Sequence, residues 1–408
     1  MNILLIHQSF VSPRESGGTR HYELARHLIE QGHRVTIVGS SVSYLTGNMV
    51  SEQRGLVTEE NIDGIRVLRA YTPPVLHRGL KWRVASFVTF MVTSVIASWK
   101  AGAVDLVMGT SPPLFQAISG WLISVLRRRP MLLEIRDLWP EFAIDMGILR
   151  NPVLIAISRL LERILYRHAT HLLVNSPAYS EYLMDKGIPA ENIDMIANGV
   201  DPEMFDPEAG GQSFRKKWGL EEKFVVTYTG AMGIANDLRV LLKAAHRLRH
   251  HPAIHVLLVG DGQERARLEQ QILDDGLENV TLIGAVPKSS VPEVLAVSDV
   301  CVATLQNISM FKTTYPNKVF DYMAAARPTI LAIDGVIRDV IESSGGGTFV
   351  PPGDDEKLAN AIQYCYKNPE ASKRMGQAAR EYVVTHFNRH KQAEAFAGLV
   401  QKISTRRS

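Results

Sequence analysis

Lys318 and Asp321 stand three residues apart in a run, Tyr315, Pro316, Asn317, Lys318, Val319, Phe320, Asp321, that reads as the opening of a short helix ahead of a strand over 329–332. A helix N-terminus presents unpaired N–H groups and positive potential to an anion, and a lysine in the first turn adds a full charge. A carboxylate one turn further on has the chemistry to accept hydrogen bonds from a sugar diol. A nucleoside diphosphate offers both partners, phosphates and ribose hydroxyls. A plainer reading stands beside this one: Pro316 is an ordinary helix start, and Lys and Asp at i and i+3 make a surface ion pair of little worth.

Two further groups have reactive potential. Arg136, Asp137 and Glu141 follow an apolar strand over 131–135, and charged groups at such a strand end sit where burial and pairing tune them. Asp137 and Glu141 could orient or deprotonate an acceptor hydroxyl, while Arg136 and Asp137 could equally close the loop as an ion pair. Gly17 and Gly18 lie between the first strand and a helix, where the lack of a Cβ lets backbone approach a phosphate or sugar. No G-x-G-x-x-G stands there, so this is not the dinucleotide fingerprint. Arg20 either reaches an anionic ligand or caps carboxylates. Gly230 and Gly260 follow strands and are turns first, facing ligand only if they border the same cleft as Lys318. The 13 histidines form no H-E-x-x-H, and no D-x-D occurs. No metal is expected, and cations with a helix dipole would have to neutralise a departing diphosphate.

The elements that must position these residues alternate along the chain. Apolar runs at 3–6, 35–38, 65–70, 106–108, 131–135 and 172–174 are separated by helical patterns at 20–31, 80–101, 114–127 and 151–168. After a polar stretch over 198–219 a second series begins, with strands at 224–228, 255–259, 280–283, 300–305 and 329–332. Continuous rather than alternating apolar strands imply cover on both faces, hence doubly wound parallel α/β sheets. The length of 408 residues also calls for two domains. Two Rossmann-like domains would bind ligand at the carboxyl ends of their strands, facing across a cleft. The last of the helices over 355–403 is expected to cross back to the first domain.

A hydrophobic share of 46% and a charged share of 21% belong to a globular chain, and a net charge of +3 implies no general affinity for nucleic acid. The two cysteines, Cys301 and Cys365, fit a reduced, cytoplasmic setting without a disulfide framework. The start, an apolar strand with no basic leader, gives no expectation of export. Residues 84–99 are apolar apart from Ser and Thr and fall short of the roughly 20 needed to span a bilayer. A buried helix is the favoured reading. Trp82, Trp99 and Trp121 beside Lys81, Arg83, Lys100 and Arg127 to Arg129 keep a second one open, peripheral contact with the inner face of a membrane.

With these residues in place, the chain resembles glycosyltransferase family 4, retaining enzymes of the GT-B fold, and is most similar to the WbuB-like N-acetylfucosamine transferase branch of bacterial surface-polysaccharide assembly. The ordered matches are Gly17-Gly18 with His21, Gly32-His33-Arg34-Val35, the branch-specific Arg136-Asp137-Leu138-Trp139-Pro140-Glu141, Asn198-Gly199-Val200-Asp201, Gly260-Asp261-Gly262, Gly284-Ala285-Val286, Pro316-Asn317-Lys318 and Pro351-Pro352-Gly353-Asp354. The resemblance implies an acceptor domain over 1–198, a nucleotide-sugar domain over 199–385 and a returning helix over 386–408. It implies that Asp321 binds the donor ribose, that Asn317, Lys318 and Val319 with Gly17 and Gly18 surround the diphosphate, and that the loop carrying Val286 touches the base. Asp137 and Arg136 would meet the transferred sugar and the acceptor, and the departing diphosphate would help remove the acceptor proton. The implied reaction moves an N-acetylated or deoxy hexosamine from a UDP-sugar to an undecaprenyl-diphosphate-linked saccharide, without a cofactor. Two departures stand out. The family's glutamate pair becomes Thr313 and Asp321, and its Gly-Arg with a later Lys becomes Gly230-Ala231 and Asn236. A UDP-sugar epimerase of the same fold and a non-catalytic nucleotide-sugar binder are the alternatives.

Overall fold

A computed structural model describes residues 1–405 except Arg14, Ser16, Leu45, Ser51, Gln53, Arg54 and His77. Arg14 and Ser16 of the glycine loop, and the last three residues of the expected returning segment, thus lie outside the described residues. The chain divides into two units, Met1–Ala197 with Gln392–Ser408, and Asn198–Lys391. The return to the first unit falls later than position 386, because one helix runs over Pro369–His386 and the last begins only at Arg389.

The first unit holds eight strands: β1 Asn2–Ile6, β2 Arg34–Ser40, β3 Val57–Ile62, β4 Ile65–Ala70, β5 Leu106–Ser111, β6 Met131–Ile135, β7 His171–Val174 and β8 Ile193–Met195. They lie in the order β3-β4-β2-β1-β5-β6-β7-β8, and all neighbours are parallel except β3 and β4. That antiparallel hairpin departs from the expected all-parallel sheet. Its turn, Asp63-Gly64, has φ of 51° and 88°, the doubly left-handed geometry that Asp-Gly supplies at least strain and that matches strand twist. The second unit holds β9 Phe224–Thr229, β10 Ile254–Val259, β11 Val280–Ile283, β12 Val300–Thr304, β13 Thr329–Ala332 and β14 Gly347–Phe349. Its order is β11-β10-β9-β12-β13-β14, parallel throughout. The short edge strands β8 and β14 were not expected, since three residues carry too little pattern to show.

Strand order reverses at β1 in one unit and at β9 in the other. Crevices for ligands form at the carboxyl ends of strands flanking such a reversal, which directs attention to the residues after Ile6, Ser111, Thr229 and Thr304. The first sheet is covered on both faces. On one, Leu24 and Leu28 of the helix Arg20–Glu30 pack with Phe396, Val400 and Ile403 of the last helix against Ile3, Leu5 and Ile37. On the other, Phe90 and Ala97 pack against Leu4, Ile6, Leu68 and Val107. These two belong to the helix Leu80–Trp99. That helix is not the buried one favoured from sequence, because Val84, Val88, Val92 and Ile96 are exposed along its outer side.

Candidate active site

In the second unit the helix Asn317–Ala324 begins directly after Pro316, whose extended backbone ends the preceding loop. Lys318 folds back from its first turn over the end of β9. Its Nζ donates to the Tyr228 hydroxyl at 2.5 Å and to Asn236 Oδ1 at 3.1 Å, and it lies 3.9 Å from the centre of the Tyr228 ring. Tyr228 in turn donates to the Ala231 carbonyl at 2.7 Å, so its oxygen is left to accept from the lysine. An ammonium has three donors. The third has no partner among the described residues. Burial lowers the pKa of Lys318 to about 7, because a desolvated ammonium favours its neutral form until an anion arrives.

Gly230 is exposed with φ of +133°, and a Cβ there would sit 3.2 Å from both Cε and Nζ of Lys318. Gly230 therefore borders the ammonium, and a side chain would crowd it. Gly260 has a different part. A Cβ on it would come 1.8 Å from the Gly230 carbonyl oxygen, so it lets the loops after β9 and β10 stack backbone on backbone. Gly230 N–H bonds Val259 O at 2.9 Å and Met232 N–H bonds Asp261 O at 2.8 Å across the same contact. Gly260 thus has the turn and packing part that the sequence suggested first. The Val319 side chain is fully buried, and its N–H is directed at Pro316 O. Asn317 is exposed beside it.

Asp321 does not pair with Lys318, so the ion-pair reading of that spacing fails. Its Oδ2 instead accepts from Lys288 Nζ at 2.5 Å, with both side chains largely buried. Lys288 went unnoticed in the sequence; its one signal was position, in the loop after β11 that also carries Val286. Val286 itself rests its side chain on the cluster of Leu220, Val259 and Ile283. Thr313, which replaces the family's first glutamate, turns inward to the Met310 carbonyl at 2.6 Å.

In the first unit the carboxyl ends of β1, β5 and β6 carry His7, Thr110 and Glu134 with Arg136. His7 bonds through Nδ1 to Thr110 Oγ1 at 3.2 Å and its ring lies 4.2 Å from that of His21. Glu134 is wholly buried and holds Arg20 Nε at 2.9 Å and His21 Nε2 at 2.5 Å. The rest of the Arg20 guanidinium donates to the carbonyls of Ala197 and Ile196 at 2.8 and 2.9 Å. Arg20 thus pairs with a carboxylate, as one of its two readings had it, but a buried one rather than one at the surface. It holds β6 and the end of the unit to the helix Arg20–Glu30. Burial acts most strongly on Glu134 and would raise its pKa, yet His21, Arg20 and Arg136 together hold it well below the ordinary carboxylate value. Burial lowers both histidines, helped at His7 by the charges of His21 and Arg136.

Asp137 makes no bond to Arg136. Burial pushes its carboxyl up to about 6 against the opposing charge of Arg136, a value suited to a group that exchanges a proton near neutrality. Arg136 is partly buried, and its Nε lacks a hydrogen-bond partner. Glu141 is tied by both oxygens to Arg159, each at 2.9 Å. A fork of this kind engages the carboxylate and braces two helices. Gly17 and Gly18 are exposed ahead of Thr19 at the start of the helix Arg20–Glu30. One group among the described residues could hold an ion, Asp201, Glu203 and His390, but the Asp201 carboxylate already caps the Glu203 N–H at 3.0 Å.

Residues 17–199 match the family described as "Glycosyl transferase 4-like domain" and residues 212–382 that described as "Glycosyl transferases group 1". Over 399 residues the chain is 24% identical to the putative colanic acid biosynthesis glycosyl transferase WcaI of Escherichia coli K12, covering 93% of this chain and 95% of the relative. Among solved structures it is similar to sucrose-phosphate synthase from Thermosynechococcus elongatus, with a TM-score of 0.77, 20% identity and 98% of each chain covered. It is also similar to HepE from Anabaena, solved in complex with UDP-glucose, with a TM-score of 0.74, 19% identity and coverage of 98% of this chain and 100% of that one.

Proposed function

We propose, from the premise that this chain is a GT-B glycosyltransferase of the family 4 type, that it transfers a sugar from a UDP-sugar to a lipid-linked saccharide with retention of configuration. The observation that carries the proposal is the Lys318 ammonium, held over β9 at the mouth of a helix with one N–H to spare. An oxygen of a diphosphate meets there a positive helix end, a full charge and the open backbone at Gly230. In this reading Asp321, whose carboxylate is held by Lys288, takes the ribose one turn on. The choice of UDP is supported by the solved complex of the similar HepE, and a polysaccharide role by the similarity to WcaI.

In this reading the first unit receives the acceptor and the second the donor. Asp137 orients the acceptor hydroxyl beside Arg136, and the leaving diphosphate takes the proton on the same face of the sugar. Charge on the leaving group is met by Lys318 and the helix end, with no metal. The donor is an N-acetylated or deoxy hexosamine, the acceptor an undecaprenyl-diphosphate-linked saccharide of O-antigen, capsule or exopolysaccharide, as in the WbuB-like branch, and the enzyme works at the inner face of the membrane. Incubation of purified protein with UDP-sugars and a lipid-linked acceptor tests this. Acceptor-dependent UDP release is expected, and donor interconversion without acceptor would favour an epimerase. Tight UDP binding without turnover for any donor would favour a binder.

A further inference from the structure

Three helices of the first unit are built inside out, and we infer that their outer face is a docking surface for an anionic lipid bilayer. In Leu80–Trp99 the polar side chains point inward: Ser86 bonds Pro73 O at 3.2 Å, Thr93 bonds Tyr71 O at 2.9 Å, and Ser94 bonds Ser119 at 3.0 Å. Val84, Val88, Val92 and Ile96 form an i, i+4 ridge on the outside. A helix facing only water shows the reverse arrangement. The neighbouring helix Leu114–Arg127 repeats it, burying Gln116, Ser119 and Ser124 while exposing Leu122, Val125 and Leu126. The helix Pro152–His168 does so again, burying Glu162 and exposing Val153, Leu154, Ile157 and Leu160. The second helix packs against both others, so the three exposed stripes lie on neighbouring helices.

Charge selects the occupant. The three helices contain one acidic residue, Glu162, and it is buried against Lys186 and Tyr182. Exposed cations flank the apolar stripes: Lys81 at one end, Lys100, Arg128 and Arg129 at the other, and Arg163 with Arg167 along the third helix. Arg127 lies 4.9 Å over the Trp99 ring, an aromatic and cation pairing suited to a headgroup layer. A chain whose net charge is only +3 has thus gathered cations around an apolar surface of its own. Another protein surface would match the apolar stripes alone; anionic lipid matches both. The helix Leu80–Trp99 is long and apolar enough to cross a bilayer, but Phe90 and Ala97 are locked into the sheet core. It therefore lies in the interface rather than spanning it.

This inference rests on the proposed lipid-linked acceptor, and vesicle binding separates the two. Purified protein is sedimented with vesicles of phosphatidylcholine alone and with phosphatidylglycerol added, alongside Val92→Glu/Ile157→Glu and Arg163→Glu/Arg167→Glu variants. All four positions are exposed, so circular dichroism should show the fold intact. The expected result is partition to the anionic vesicles that falls by roughly tenfold or more in either double variant and in high salt. Equal partition of the variants, no partition of the unaltered protein, or an apolar-dependent dimer by light scattering in its place would overturn the docking surface. UDP titration of the same samples reports on the donor site independently: its failure with vesicle binding intact would remove the transferase reading and leave the membrane surface standing.

Discussion

In the proposed reading, the proton on Lys318 decides how a diphosphate binds. Free, the ammonium has a pKa of about 7 because it is buried, and a diphosphate beside it favours the charged form. UDP binding at pH 8 should therefore take up a proton, and affinity should weaken as pH rises above 7. Calorimetry in buffers of different ionisation enthalpy reads both, and no proton uptake would contradict the assignment. Asp137, raised to about 6, should place an acidic limb near pH 6 on the rate profile, since protonation removes its capacity to accept from the acceptor hydroxyl. Asp137→Asn is expected to lower kcat by about a hundredfold or more with UDP affinity unchanged. Lys318 was legible in the sequence because a helix start declares itself locally. Tyr228, Lys288 and His7 carry no such local signal, because their parts depend on partners brought together from distant positions, and Asn236 showed only as a departure from the family pattern, not as a partner of Lys318. The protein partners of Arg20 and Glu141, Glu134 and Arg159, were not legible for the same reason: a charged side chain reads alike whether its partner is a ligand or a neighbouring element.

At the scale of elements, β6 and the helix Arg20–Glu30 are joined by the buried Glu134, Arg20 and His21. Arg20→Ala would leave a buried carboxylate without one of its counter-charges, and a loss of about 3–5 kcal/mol is expected in urea unfolding. The pH sign follows from the directions of the shifts. Glu134 is lowered from 4.5, so its stabilisation is present above that value and is lost as pH falls through the folded value. His7 and His21 are lowered from 6.5, so neutral rings favour the fold above 6.5 and their contribution declines on acidification. The first unit should accordingly weaken as pH drops from 6.5. Gly260→Ala would force apart the loops after β9 and β10, with an expected cost of about 1–3 kcal/mol and a displaced Gly230. The alternation of strands and helices was legible because buried parallel strands are continuous apolar runs. β3 was missed because its edge position lets Glu59, Glu60 and Asn61 stay polar, although Asp63-Gly64 marked the hairpin turn.

The whole molecule is two units, each with its own core, and Gly230, Lys318 and Asp321, which the proposed reading assigns to the donor, belong to the second. UDP binding should slow hydrogen exchange around Gly230, Lys288 and Lys318 of that unit, with protection following the occupancy of the site. The division itself was legible in the repeated strand and helix series. The outward apolar faces of three helices in the first unit were not, because periodicity locates a stripe without saying which way it turns. The most direct test of the account is titration of UDP into the purified protein with a chelator present, at pH 7, beside Lys318→Ala. It predicts clear binding without a divalent cation and a loss of about 2–3 kcal/mol in the variant, the size expected of a charge-assisted hydrogen bond. No UDP affinity, affinity that returns only with magnesium, or an unaffected variant would contradict it.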